Sequence, residues 1–263
     1  MFNLANLFTA SNLICGILAI VFALSGRLDL APIAIFCGLI FDFLDGFIAR
    51  LMKSSGELGK QLDSFADMIT FGVAPGVIMM VVLTVQPGTF ESGISIGQIH
   101  ENYLRWFNSI DLTTFSGNYI PLIGLLLPFF AMFRLAKFNI DLRQSESFIG
   151  LPTPSMTLFF MVFPLALVYN LSWNEYSILL FNPWLILCLI VVFGLLMVSE
   201  IPLFSLKVKS FGWQGNQIRI VFLLISLGLI LAFRLWSIAL IVFLYLILSM
   251  IENIFSKTKS NEI

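Results

Sequence analysis

Apolar stretches of membrane-crossing length alternate with short polar breaks along most of the chain. The first runs from about Leu4 to Ser25, the second from about Leu30 to Arg50, and the third from about Leu62 to Val85. A fourth covers about Asn118 to Phe138, a fifth Pro154 to Leu171, and a sixth Pro183 to Ser199. The last, Ile218 to Ile254, is too long for one crossing and divides at Arg234. A helix needs about 20 apolar residues to cross a hydrocarbon layer about 30 Å thick, so the pattern predicts an all-α, polytopic membrane helical bundle of about eight transmembrane helices.

The polar breaks carry their own pattern. Between Gln86 and Gly117, Ile96, Ile99, Tyr103, Leu104, Trp106, Phe107 and Ile110 recur at helical spacing, which predicts an amphipathic helix at the membrane interface, either a covering segment or a substrate lid. The first apolar run lacks a basic leader and a small-residue cleavage site, so it reads as a retained span, with Asn6, Thr9, Ser11 and Asn12 needing polar partners inside it.

Composition agrees with the membrane assignment: 59% of the 263 residues are hydrophobic, 11% are charged, and the mean hydropathy is +0.99. The whole chain, 1–263, reads as a single integral membrane domain, with a catalytic core at about 1–172 and additional spans at about 183–254. The net charge of −1 carries little meaning in a membrane protein, where the distribution of Lys and Arg between loops matters more than their sum, and nucleic acid is not an expected partner. Cys15, Cys37 and Cys188 lie singly in apolar runs and read as small core hydrophobes, and His100, the one histidine, reads as a solvated loop residue.

Lys and Arg are distributed unequally between the two sides. If the break after Arg50 is cytoplasmic, that side holds Arg50, Lys53, Lys60, Arg134, Lys137, Arg143, Lys207, Lys209, Arg219, Lys257 and Lys259. Only Arg27, Arg105 and Arg234 lie opposite, as the positive-inside rule requires of a multi-pass protein with both termini in the cytoplasm.

Four carboxylates break the apolar pattern. Asp42, Asp45, Gly46 and Ala49 share one stripe of the second helix, and Gly59, Asp63 and Asp67 recur every four residues along the third. Acids gathered at membrane depth repel one another unless cations compensate them. An oxygen-only donor set points to hard cations, Mg²⁺ or Mn²⁺, which bridge carboxylates to phosphate oxygens, and four acids suffice for two ions. Gly46 and Gly59 cost helix propensity of about 1 kcal/mol each, which makes sense where a ligand approaches the backbone, although glycines also pack helices together. Arg50, one turn past Gly46, can balance diphosphate charge.

The stretch Asp42-x-x-Asp45-Gly46-x-x-Ala49-Arg50, eight residues, then Gly59-x-x-x-Asp63-x-x-x-Asp67 resembles, without a gap, the signature of the CDP-alcohol phosphatidyltransferases. Within that family the chain is most similar to the phosphatidylserine synthases. That similarity rests on Asn6-Leu-Phe-Thr9, Asn12-Leu-x-Cys-Gly16, Leu62-Asp-Ser-Phe-Ala-Asp67, Phe71-Gly-Val-Ala-Pro75, Arg134-Leu-Ala-Lys137-Phe-Asn139 and Gly150-Leu-Pro-Thr-Pro154, and weakens past Ser155.

The resemblance implies transfer of the phosphatidyl group of CDP-diacylglycerol to L-serine, releasing CMP, at the cytoplasmic face of the cell membrane. It implies that Asp42, Asp45, Asp63 and Asp67 bind metal, with Asp67 also the catalytic base, and that Gly46, Ala49, Arg50, Gly59 and Asn12 meet the CDP-lipid. Thr70, where serine is common, with Arg134, Lys137 and Asn139, are the expected acceptor-binding residues. Arginine and lysine at span ends also act as topology anchors. The same transfer to inositol, glycerol phosphate or choline is the nearest alternative. A cation-coupled transporter is the alternative of another class, although no second copy of the acidic stretch accompanies the first. A homodimer is compatible with the sequence.

Overall fold

The computed structural model describes residues 3–52, 56–85, 94–111, 116–141, 148–169, 180–203 and 216–260, with side chains to Glu252. Among these residues the helices are α1 (Leu4–Leu24), α2 (Leu30–Leu51), α3 (Glu57–Val82), α4 (Ile96–Ser109) and α5 (Ile120–Ile140). They continue with α6 (Thr153–Val168), α7 (Pro183–Val198), α8 (Gln217–Phe233) and α9 (Ser237–Ser260). The one pair of strands among the described residues, Phe148–Ile149 with Pro202–Leu203, is antiparallel and two residues long.

Five helical stretches are long and apolar enough to cross a membrane: α1, α2, α3, α5 and Gln217–Glu252. The last is broken at Arg234, whose φ of 49° is the only positive value among the described non-glycine residues, so it turns back as α8 and α9 where the charge predicts a break. With the shorter apolar helices α6 and α7, the bundle has the span order expected from the hydrophobic pattern. Many large apolar side chains on its outer faces are exposed, among them Phe43, Leu231 and Trp184, as suits a protein whose surroundings are hydrocarbon.

Local chemistry explains several boundaries. Asn3 caps α1 by accepting from the Asn6 N–H at 2.8 Å, and Asn182 caps α7 through the Trp184 N–H at 2.9 Å. Ser95 and Gln98 close a reciprocal capping box on α4. The third span begins at Glu57 instead of Leu62, because Glu57, Gly59 and Lys60 belong to the helix and not to the connector.

Inside α3 the chain widens into a π-helical turn over Met68–Val73. Pro75 has no N–H for the carbonyl of Phe71, four residues before it, and the Thr157 hydroxyl of α6 donates to that carbonyl at 2.8 Å instead. The Phe71-to-Pro75 segment and Thr157 thus form one joint between α3 and α6.

Small residues set the spacing of the first three helices. Ala19 and Ala23 of α1 and Ala31 of α2 are fully buried. A Cβ on Gly16 would fall onto the Thr70 hydroxyl, and one on Gly38 would sit 2.7 Å from Thr70 Cγ2. On the other side of α3, a Cβ on Gly76 would lie 3.0 Å from the Gly124 carbonyl oxygen of α5. The far end of the bundle is packed with rings: Phe159 of α6 stacks on Phe193 of α7 at 4.1 Å, and Phe243 of α9 meets both edge-on.

Some expectations need correction. Cys15 is buried, but Cys37 and Cys188 face outward among other apolar groups, because each lies on the lipid-side stripe of its helix. His100 is not a solvated loop residue: it lies in α4, its Nδ1 sits 3.0 Å from the Leu24 carbonyl oxygen, and it ties α4 to the end of α1. The amphipathic pattern in 86–117 corresponds to α4, which buries Ile99 and Trp106 and leaves Leu104 and Phe107 exposed. Residues 86–93 and 112–115 of that segment lie outside the described residues, as do Lys53, Arg143, Lys207, Lys209 and the junction near 172, together with the side chains of Lys257 and Lys259.

Candidate active site

Asp42 lies in the second half of α2, and Asp63 and Asp67 lie one turn apart on α3, so the α2–α3 hairpin brings the acids together. Asp42, Asp63 and Asp67 each offer a carboxylate oxygen within 4.8 Å of the others. Asp45, a turn further along α2, is turned aside: its Oδ2 accepts from the Thr9 hydroxyl of α1 at 2.6 Å. It still lines, with Asp63, the cavity beside the cluster.

The first helix therefore positions two of the four acids. Besides the Thr9 contact to Asp45, Asn12 Nδ2 donates to Asp67 Oδ1 at 3.1 Å. Asn12 is fully buried, and its Oδ1 is a buried acceptor without a donor among the described residues, as is Asp63 Oδ1. Buried acceptors left in this state call for a cation or donor from outside the chain.

Beside the cluster is a cavity of about 260 Å³ lined by Asp45, Gly46, Ala49, Gly59, Lys60 and Asp63 among others. A Cβ on Gly46 would meet nothing within 4 Å, and one on Gly59 would meet only Asn6 Oδ1, at 3.5 Å. Neither glycine is demanded by contact between helices, unlike Gly16 and Gly38, so the space above them is free for a ligand. A second, mostly apolar cavity of about 660 Å³ opens between α1 and α3, lined by Leu4, Leu7, Leu13, Leu58, Leu62 and Phe65. Asn6 and Thr9 line both spaces.

A divalent cation fits these donors. The set is all oxygen, three acids converge, one of their oxygens is an orphaned acceptor, and among the described residues no ion pair involves them. Arg134 of α5 is nine-tenths or more buried, acts electrostatically on Asp67 and Asp42, and lies 4.8 Å over the ring of Phe138.

The other expected acceptor residues are placed differently. Thr70 is fully buried, wedged against Gly16 and Gly38, and its hydroxyl donates to the Asn12 carbonyl at 2.9 Å. Lys137 Nζ bonds to the Val198 carbonyl oxygen at 3.3 Å and to Glu200 at 3.4 Å, on the side of α5 that meets α7. Asn139 pairs with Ser64 of α3 at 2.8 Å, and its carbonyl accepts from Lys60 Nζ at 2.8 Å, so it closes α5 onto the acid-bearing helix. Arg50 is exposed at the last turn of α2. Thr9 was not among the expected site residues, and its signal was a polar side chain at membrane depth that needed a partner.

Residues 2–180 match the family description CDP-alcohol phosphatidyltransferase. The chain belongs to that family. Among its relatives, the CDP-diacylglycerol–serine O-phosphatidyltransferase of Helicobacter pylori is 33% identical over 267 residues, which cover 97% of this chain and 95% of that protein. The Bacillus subtilis protein of the same name is 32% identical over 166 residues, covering 62% of this chain and 74% of the relative. The archaetidylserine synthase of Methanothermobacter thermautotrophicus is 28% identical over 156 residues, covering 57% and 53%.

Proposed function

We propose that this chain transfers the phosphatidyl group of CDP-diacylglycerol to the hydroxyl of L-serine, giving phosphatidylserine and CMP. The observation that carries the reading is the convergence of Asp42, Asp63 and Asp67 beside a cavity whose two glycines are not needed for packing. Relatives that span nearly the whole chain, and are named for transfer to serine, support the acceptor. On this reading the work of the site falls to about 1–172, and the later spans brace it.

Asp42, Asp63 and Asp67, with Asp45 on the cavity side, would hold one or two divalent cations, Mg²⁺ or Mn²⁺. When bound, these neutralise the diphosphate and the charge developing on the departing CMP. Gly46, Ala49 and Gly59 give the cytidine diphosphate a floor of small residues, and Arg50 lies at the rim to meet phosphate charge. The apolar cavity between α1 and α3 receives the acyl chains from the bilayer.

Asp67 accepts the proton of the serine hydroxyl as its oxygen attacks phosphorus. The Asn12 amide, 3.1 Å from Asp67 Oδ1, holds that carboxylate in orientation, and Thr70 holds the Asn12 backbone in turn. Arg134 is the candidate for the serine carboxylate, because a guanidinium binds a carboxylate through two parallel N–H donors. Lys137 and Asn139 support it from the same helix by fixing α5 to α7 and α3. The acid-bearing end would face the cytoplasm, in the cell membrane, an orientation that the distribution of basic residues supports.

Purified protein supplied with CDP-diacylglycerol, Mg²⁺ or Mn²⁺ and a panel of alcohols tests the reading. Serine should release CMP in preference to inositol, glycerol phosphate and choline. A preference for one of those would move the acceptor assignment, and protein-independent CMP release would remove the enzyme reading altogether.

A further inference from the structure

α3 has two ends, and only one carries the acids. Asp67 and Val82 lie about 20 Å apart along it, at about 1.5 Å per residue. At the Val82 end is a separate cavity of about 360 Å³, formed where α3, α4, α5 and α7 meet. Its lining divides into an apolar side, including Val82, Val85 and Ile186, and a polar side that includes Asn102, Arg105 and Asn118.

The polar side carries a guanidinium and amides, with no acidic group among its described residues. Asn102 and Arg105 stand three residues apart on α4 and therefore on one face of it. The ion pairs formed among the described residues are Arg27–Asp29 and Lys137–Glu200, so Arg105 has no carboxylate partner there. None of the cavity's described lining residues is acidic. The frame around these donors is built: Trp106 Nε1 donates to the Asn118 carbonyl at 2.6 Å, and Asn118 Oδ1 accepts from the Ile120 N–H at 3.1 Å.

The position also indicates the source of a ligand. α4 is amphipathic, its Tyr103, Trp106 and Phe107 rings lie within 6.5 Å of one another, and its Leu104 and Phe107 are exposed. Aromatic clusters of this kind sit at the headgroup level of a bilayer. A cavity there, half apolar and half donor-lined, accommodates a phosphate diester with the first carbons of its lipid. With no carboxylate among its described lining residues to take an ammonium group, it favours an anionic headgroup over a zwitterionic one.

We infer that the cavity between the Val82 end of α3 and helix α4 binds the phosphate of an anionic phospholipid through Arg105 and Asn102, in the leaflet opposite the acid cluster. Detergent-purified full-length protein is titrated with phosphatidylglycerol or phosphatidylcholine and bound lipid is counted by native mass spectrometry. The wild type should hold phosphatidylglycerol about tenfold more tightly than phosphatidylcholine. Arg105→Gln should lose about that factor, as expected for one charge-assisted hydrogen bond, with CMP release unchanged. Asn102→Leu should lose a smaller part of it. Equal retention by wild type and both variants overturns the site. Displacement by a tenfold excess of inorganic phosphate overturns the lipid and assigns the cavity to a free oxyanion.

Discussion

The two halves of the bundle are packed by different means. In α1–α3 the helices approach through glycine and alanine, with Gly16, Gly38, Ala19, Ala23 and Ala31 at the contacts, and the side chains that cross between them are polar: Thr9 to Asp45 and Asn12 to Asp67. In α6–α9 the contacts are rings, Phe159, Phe193 and Phe243, with spacing set by aromatic faces and edges. Close approach through small residues lets short side chains reach from helix to helix and fixes carboxylates to fractions of an ångström. Ring packing fills volume and holds helices without aiming any group. On the proposed reading, the closely approaching helices carry the acids and the ring-packed helices hold them in place.

The largest expected effect lies at the centre of the polar half. Asp67→Asn should lower serine-dependent CMP release by about 10²–10⁴-fold, the usual worth of a general base, while CDP-diacylglycerol binding stays measurable by equilibrium dialysis. Near-normal turnover would remove Asp67 from that role.

Gly46→Leu separates ligand space from packing space. The added side chain should raise the KM for CDP-diacylglycerol about tenfold or more, since overpacking costs of about 1–3 kcal/mol would fall on the ligand. Thermal stability should hold or rise, because leucine is the better helix former. A fall in stability with unchanged KM would mean that Gly46 serves the helix and not the substrate.

A smaller loss is expected at Thr9→Val, which keeps shape and removes the 2.6 Å hydrogen bond to Asp45. A hydrogen bond to a charged group is worth about 1.5–3 kcal/mol, so kcat/KM should fall about tenfold or somewhat more. The metal concentration giving half-maximal rate should rise with it. An unchanged metal dependence would place Asp45 outside the cation site.

On the supporting side, Phe193→Leu should cost about 1–2 kcal/mol of stability through lost ring contacts, read as a lower unfolding temperature, with kcat/KM within about twofold of wild type. A large kinetic effect there would erase the division between the halves.

Much of this arrangement was legible from residue order, for identifiable reasons. Span positions follow from hydropathy because the bilayer demands continuous apolar helices, and even the break at Arg234 is marked by its charge. The convergence of Asp42, Asp63 and Asp67 follows from two helical stripes joined by a short connector. Pairings that depend on a third helix are not written in local spacing. Nothing near Thr9 announces Asp45, and nothing near Thr70 announces Gly16 and Gly38 as its neighbours. Lys137 is a similar case: a basic residue at a span end suits a substrate carboxylate or a neighbouring helix, and only tertiary contacts put Val198 and Glu200 against it. The π-helical turn in α3 was marked in the sequence only by Pro75, while the Thr157 hydroxyl that accommodates it is 86 positions from the carbonyl it meets.

The central claim is that the acids of α2 and α3 act together as one cation site serving a CDP-linked lipid. Electron paramagnetic resonance of Mn²⁺ titrated into the purified protein, with and without CDP-diacylglycerol, reads that site without depending on turnover. The wild type should bind Mn²⁺ more tightly when the lipid is present, and Asp42→Asn and Asp63→Asn should each lose most of that binding. Equal Mn²⁺ binding by wild type and both variants would contradict the account.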